Sequence, residues 1–299
     1  MKVIFVHGRA QEHKEPAGLL VAWSNAANKA LTALKVATLP AADVALPYYG
    51  DLLFNLTDKV SRESFQSLMD KGAEATSPPA EEQQFIQELV FQMAASQGIS
   101  KEQIAIEAAV NVEVVEKGIQ NWKIVLAAVR LLNKINGVGA TSIELFTRDV
   151  WYYLTNKGLR LKINAVVDAA IPKDQSCMIV SHSLGTIVAY NLLMNRGSRQ
   201  NVKAFITIGS PLGIEAIYRR LPSDTKPRRS PSDIPVWFNA RDPQDIVALY
   251  EIPAEFYAGA PIVNNFSAVK NTSENHHGIV EYLADPTLAK AISDVFSPA

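Results

Sequence analysis

Residues 177–186, Cys-Met-Ile-Val-Ser-His-Ser-Leu-Gly-Thr, constrain this chain more than any other stretch. Four apolar, β-favouring residues read as a buried strand over 177–180, and the segment 186–195 reads as a helix. Between them Ser181, Ser183 and Gly185 fall on alternate positions. A chain that turns from strand to helix in so few residues must keep the neighbours two before and two after the central residue small, or they collide. A wholly apolar strand feeding a helix also implies a parallel sheet covered on both faces.

The rest of the chain repeats the pattern. Apolar strands are expected at 3–6, 44–46, 202–208 and 236–239, and helices at 19–34, 142–171, 214–221 and 279–296. From about 50 to 139 the strand signal disappears. Pro78-Pro79 followed by Glu81-Glu82 starts a helix, because early acids complement the helix dipole. Gly98 ends it, and Ser100 with Gln103 forms a capping box for the next. The expected architecture is therefore an α/β core over 1–50 and 140–299. An all-helical insertion over 51–139 is too long to be an ordinary connection and reads as a cap or lid.

Composition excludes several classes. The 299 residues carry 29 Lys+Arg against 30 Asp+Glu, so no basic excess points to nucleic acid. Hydrophobic residues at 48% with 20% charged residues are globular rather than disordered. A single cysteine, Cys177, leaves no internal disulfide and no cysteine-built metal cage. The densest apolar run, 124–132, is broken by Arg130 and is too short to span a bilayer. The opening MKVIFVHG has no signal-peptide pattern, which makes a cytoplasmic location the expectation.

Ser183 at the centre of Ser181-His182-Ser183-Leu184-Gly185 has the form of a nucleophile elbow, which lifts the serine hydroxyl off the end of a sheet. A hydroxyl needs a base, and there are five histidines. His182 belongs to the turn and reads as a packing residue. His7 ends the first strand, and His13 lies in a polar stretch. Asn275-His276-His277-Gly278, a late loop before the terminal helix, is the best-placed source of the base. A carboxylate to orient it is offered by Asp242 or Asp245, directly after the strand at 236–239.

The order Ser…Asp…His, the Val6-His7-Gly8 strand end, Ser181-His182-Ser183-Leu184-Gly185 and Gly209-Ser210-Pro211-Leu212 resemble the α/β-hydrolase superfamily, in its lipase/esterase-like branch. The resemblance covers the core and not the helical insertion. It implies Ser183 as nucleophile, Asp245 rather than Asp242 as the acid, and His277 rather than His276 as the base. It also implies that the N–H groups of Arg9 and Leu184 form the oxyanion hole. The chain opens at the strand that is third in that family, and its insertion precedes the elbow. The implied activity is cleavage of carboxylic esters, with a small-molecule or lipid-like substrate and neither cofactor nor metal. An amidase, peptidase or thioesterase would use the same triad, and an idle fold used for binding would keep it without turnover.

Other features have plainer readings. Residues 58–120 carry 11 acids and 5 bases, a charge that opposes docking on anionic lipid. Apolar residues around most of 119–135 suggest a buried helix. The basic stretch from Arg219-Arg220 to Arg228-Arg229 reads as a solvated loop, and Gly137-Val138-Gly139 lacks the strand a phosphate loop needs.

Overall fold

In the computed structural model, residues 1–58, 79–116, 122–136, 139–195, 201–222, 228–272 and 275–297 are described. Six strands, β1 (Lys2–Val6), β2 (Val44–Ala45), β3 (Cys177–His182), β4 (Val202–Ile208), β5 (Val236–Ala240) and β6 (Asn264–Phe266), form one sheet in the order β2-β1-β3-β4-β5-β6. Every pairing is parallel, where the sequence reading allowed a mostly parallel sheet. The fold is α/β.

Side chains alternate across this sheet and give it two apolar faces. Val3, Phe5, Met178, Val180, Ile206 and Phe238 face one core, shared with helix α1 (Pro16–Ala33) through Trp23, Ala27 and Leu31. In the register that matches Ile206 to Phe238, their neighbours Phe205 and Trp237 are also paired, and these point the other way. There Trp237 packs 5.2 Å from Phe205 and 6.0 Å from Tyr190, whose helix lies on that face. Each such large side chain taken fully out of water contributes about 1.5–3 kcal/mol.

Two further helices, α2 (Lys157–Ala170) and α3 (Leu184–Asn195), pack together on the Trp237 face. Near the end of the chain come α4 (Ile279–Leu283) and α5 (Pro286–Phe296), which pack on α1 with Tyr282, Leu283, Leu288 and Ile292 in the core. The helices expected to run unbroken over 142–171 and 279–296 are each interrupted. Asn156 leaves helical geometry and its side chain accepts from Leu159 N, so one helix ends at Thr155 and α2 begins. Asp285 caps Thr287 N and Leu288 N, and Pro286 starts α5.

The chain divides into two units, Met1–Phe54 with Asn156–Ala299, and Asn55–Thr155. Among its described residues the second unit is all-helical. It includes Ala140–Thr155, which the sequence reading assigned to the core; that helix instead packs against Ala80–Ser96 and Trp122–Asn136, with Phe85 5.4 Å from Trp151. The capping box is formed, with Ser100 Oγ accepting from Gln103 N and Gln103 Oε1 from Ser100 N. On the helix Trp122–Asn136, Ile124 to Val129 and Leu132 are buried while Lys123, Arg130 and Lys134 are exposed. Residues 117–121 and the pair Gly137-Val138 lie outside the described residues. Among the described residues no helix is long and apolar enough to cross a membrane.

The basic stretch departs from its solvated reading. Arg228 is only 8% exposed; its Nη2 donates to the carbonyls of Arg219 and Leu221, and its guanidinium lies 4.9 Å from the centre of the Tyr218 ring. Those carbonyls follow the short helix Glu215–Tyr218, so the cation serves as a C-terminal cap. Residues 223–227, with Lys226, lie outside the described residues.

Candidate active site

All strands point one way, so their carboxyl ends share one edge of the sheet. The chain moves outward from β1 to β2 and then inward again to β3, which makes the β1/β3 boundary a switch point where loops diverge and leave a crevice. The loops after β1, β3, β4, β5 and β6 carry, in turn, Gly8-Arg9, Ser183, Gly209, Asp242 with Asp245, and His276-His277.

β3 runs straight to His182, Ser183 takes φ of 57°, and α3 starts at Leu184. A left-handed backbone at a non-glycine residue costs about 1–2 kcal/mol, and the surroundings must enforce it. They do so by close approach. A Cβ on Gly8 would lie 2.6 Å from Ser183 Cβ, and one on Gly185 would run into the carbonyl oxygens of Val6 and His7. Below the turn, Ser183 N donates to Ile208 O and Thr186 Oγ1 to Ser183 O, while Ser210 Oγ lies 2.8 Å from Thr186 Oγ1. The small residues of the motif are thus required by contacts between neighbouring strands as well as by the turn.

His7 fixes the loop beside the serine. Its Nε2 accepts from Tyr49 N at 3.0 Å and its Nδ1 donates to Gly8 O at 2.7 Å, which defines the neutral Nδ1–H tautomer. Burial holds its pKa down to about 4 against the opposing Gly8 hydrogen bond. With Gly8 O turned to His7, the trans peptide turns the Arg9 N–H to the opposite side. Leu184 is the first residue of α3, so its N–H has no acceptor within the helix. His13 is largely exposed on the surface, with its backbone N–H on Asp51.

The two aspartates and two histidines left open by the residue pattern pair separately. His277 Nδ1 lies 2.7 Å from Asp245 Oδ2, and His276 Nδ1 lies 3.3 Å from Asp242 Oδ2. Asp245 is fully buried; its Oδ1 accepts from Val247 N and Ala248 N, and its Oδ2 also accepts from Tyr282 Oη at 2.8 Å. Burial alone would raise its pKa, but the charge of His277 and these donors outweigh it and leave the carboxyl below its ordinary range. Arg241 holds the loop from behind by donating to the carbonyls of Ala248 and Leu249.

Asp242 serves the histidine loop differently. It accepts from Gln244 N and Asn271 N, while Asn271 Nδ2 donates to His276 O. His182, expected as a packing residue, touches Trp23 edge-on but also lies 4.5 Å ring to ring from His277, with its Nε2 3.0 Å from the His277 carbonyl. Burial, followed by the neighbouring His277 charge, holds His182 well below the ordinary histidine range, so it donates as a neutral ring.

Ser183 Oγ and His277 Nε2 are both buried and without a hydrogen-bond partner among the described residues. Buried polar atoms are normally satisfied. Two unsatisfied ones, a hydroxyl and a carboxylate-backed imidazole on loops of one sheet edge, are what a bound reactant would pair. Gly209, at φ of 53°, closes the site from β4: a Cβ there would lie 3.1 Å from Asp245 Oδ2 and 3.2 Å from His277 Cε1. Among the described residues no cluster of three or more His, Cys, Asp or Glu is arranged to hold a metal ion.

Sequence reasoning missed Tyr282 and Asn271, and it singled out Gly209 only as part of a resembling motif, with no role. Tyr282 stands five residues after His277 on an apolar helix and reads there as core; nothing local marks its hydroxyl. Compared with models of known protein families, with curated proteins and with solved structures, the chain matches none.

Proposed function

We propose that this chain is a serine hydrolase of the α/β-hydrolase kind that cleaves carboxylic esters through an acyl-enzyme. The observation that carries the reading is the Asp245–His277 contact at 2.7 Å on the same sheet edge as Ser183, whose buried hydroxyl sits on a left-handed turn with no partner among the described residues. In this reading Ser183 Oγ attacks the ester carbonyl carbon and passes its proton to His277 Nε2. Asp245 holds the ring tautomer and stabilises the imidazolium. The N–H groups of Arg9 and Leu184 receive the developing oxyanion. The tetrahedral adduct collapses, His277 returns the proton to the leaving alcohol, and the acyl group stays on Ser183. Water then attacks the acyl-enzyme with His277 again taking the proton, and the acid departs. In chain order the helical unit falls between β2 and β3, before the elbow, and in this reading it is the cap.

The test is hydrolysis of p-nitrophenyl esters from acetate to palmitate, with wild type beside Ser183→Ala. Turnover by the wild type and a loss of about 10⁴-fold or more in the variant are expected. A fluorophosphonate probe should label the wild type at Ser183 alone. Absence of both labelling and turnover, or full activity in Ser183→Ala, overturns the reading. Amide and thioester analogues of the best substrate separate an esterase from an amidase, peptidase or thioesterase.

A further inference from the structure

Asp245 Oδ2 is shared. It accepts His277 Nδ1 at 2.7 Å and Tyr282 Oη at 2.8 Å, and Tyr282 Oη itself accepts from Asp242 N at 2.8 Å. With Oδ1 taken by Val247 N and Ala248 N, the carboxylate has four donors for its four lone-pair sites. One phenol oxygen on α4 therefore links the acid loop at two points, three residues apart, and belongs to the helix that begins two residues after His277.

We propose that Tyr282 is a positioning residue of this site: its hydroxyl fixes the rotation of the Asp245 carboxylate and tempers the charge that carboxylate presents to His277. The inference rests on the triad reading above. Tyr282 acts through Asp245, and its own ring is buried between α4 and the sheet. Burial and the adjacent carboxylate push its phenol well above the ordinary tyrosine range, so it stays a donor at working pH.

The sign of its effect follows from Coulomb's law. A hydrogen bond to Oδ2 spreads part of the carboxylate charge, so removing that donor strengthens the attraction between Asp245 and a protonated His277 ring. Among the described residues, the titratable groups at the His277 ring are Asp245 from the loop after β5 and His182 at the end of β3, with Tyr282 on α4 reaching it through Asp245. The Asp242–His276 pair stands beside them. Of these, Tyr282 alone donates to Asp245 Oδ2 besides His277.

The experiment compares Tyr282→Phe with wild type by two readouts. In the pH profile of kcat/KM, the acid limb should move up by about half a pH unit, with kcat about 10-fold lower and KM within about twofold. In NMR, the ring resonances of His277 should shift their titration midpoint in the same direction, a readout that needs no substrate. Tyr282→3-fluorotyrosine, with a more acidic phenol in nearly the same volume, should move the midpoint down. A purely structural tyrosine would alter melting temperature without moving either midpoint. Both variants titrating like wild type overturns the proposal. A wild type that turns over no ester and takes no probe defeats the hydrolase reading instead, and the NMR midpoints still decide the role of Tyr282.

Discussion

Two Asp–His pairs stand side by side on the loops after β5 and β6, built from the same residue types, yet their surroundings differ. In the Asp245–His277 pair the carboxylate is fully buried, carries four donors and faces its imidazole at 2.7 Å, while the far ring nitrogen is buried and, among the described residues, unpaired. In the Asp242–His276 pair the contact is 3.3 Å, the His276 side chain is 31% exposed, and Asp242 spends its oxygens on the backbone of its own turn and of Asn271. The difference teaches that backbone contacts alone do not set the two carboxylates apart, since both hold backbone N–H groups; what separates them is the shorter contact to the histidine and the phenol that, among the described residues, donates to Asp245 and not to Asp242.

The sharpest way to break this comparison is to neutralise each aspartate in turn. Asp245→Asn should lower kcat/KM on the best ester by about 10³–10⁴-fold, because the amide favours the wrong imidazole tautomer. Asp242→Asn should cost about 10-fold or less, through a looser histidine loop. Equal losses, or a larger loss from Asp242→Asn, would mean that the two pairs have been assigned the wrong way round.

A Cβ added at Gly209 would meet Asp245 and His277 first, so the position offers a more selective probe. Gly209→Ala sets a methyl group against Asp245 Oδ2 and the His277 ring, on a backbone with φ of 53° that L side chains resist. A fall of about 10- to 100-fold in kcat is expected, since displacements of an ångström or less carry costs of that order. Steady-state kinetics that return wild-type kcat would show that the dyad tolerates the intrusion and that its position is less constrained than the contacts imply.

The smallest effect concerns His7, a buried histidine with no carboxylate at all. Its folded-state pKa of about 4 lies below the unfolded value, so between about pH 6.5 and 4 the unfolded chain binds a proton that the folded one refuses. Stability should therefore fall as pH drops through that window, by about 3 kcal/mol for this group. His182 contributes in the same sense. Asp245, with its depressed pKa, loses its contribution only as pH falls further, through its folded value. Denaturant melts at several pH values should show a flatter slope in His7→Gln; an unchanged slope would remove His7 from the account.

Much of this was legible in the sequence, for stateable reasons. The strands at 3–6, 177–180, 202–208 and 236–239 are apolar on both faces, a pattern that only a doubly covered sheet produces. The turn at Ser183 was legible because sterics leave few residue types that fit it. The breaks at Asn156 and Asp285-Pro286 were written in local capping chemistry that the longer apolar periodicity concealed. β6 gives little signal, being three residues long with its side chains only partly buried. What sets the two aspartates apart in the fold was only partly local. Val247 and Ala248 close on Asp245 within its own turn, but the Tyr282 hydroxyl reaches it from a distant helix, and no short window of residues encodes that meeting.

The left-handed turn at Ser183 has a consequence for how such a chain can change over generations. Glycine would relax that backbone and sit there without strain, so selection acting on stability alone pulls the position away from serine. In the proposed chemistry the reacting side chain therefore stands at a position whose backbone, taken alone, would suit glycine better.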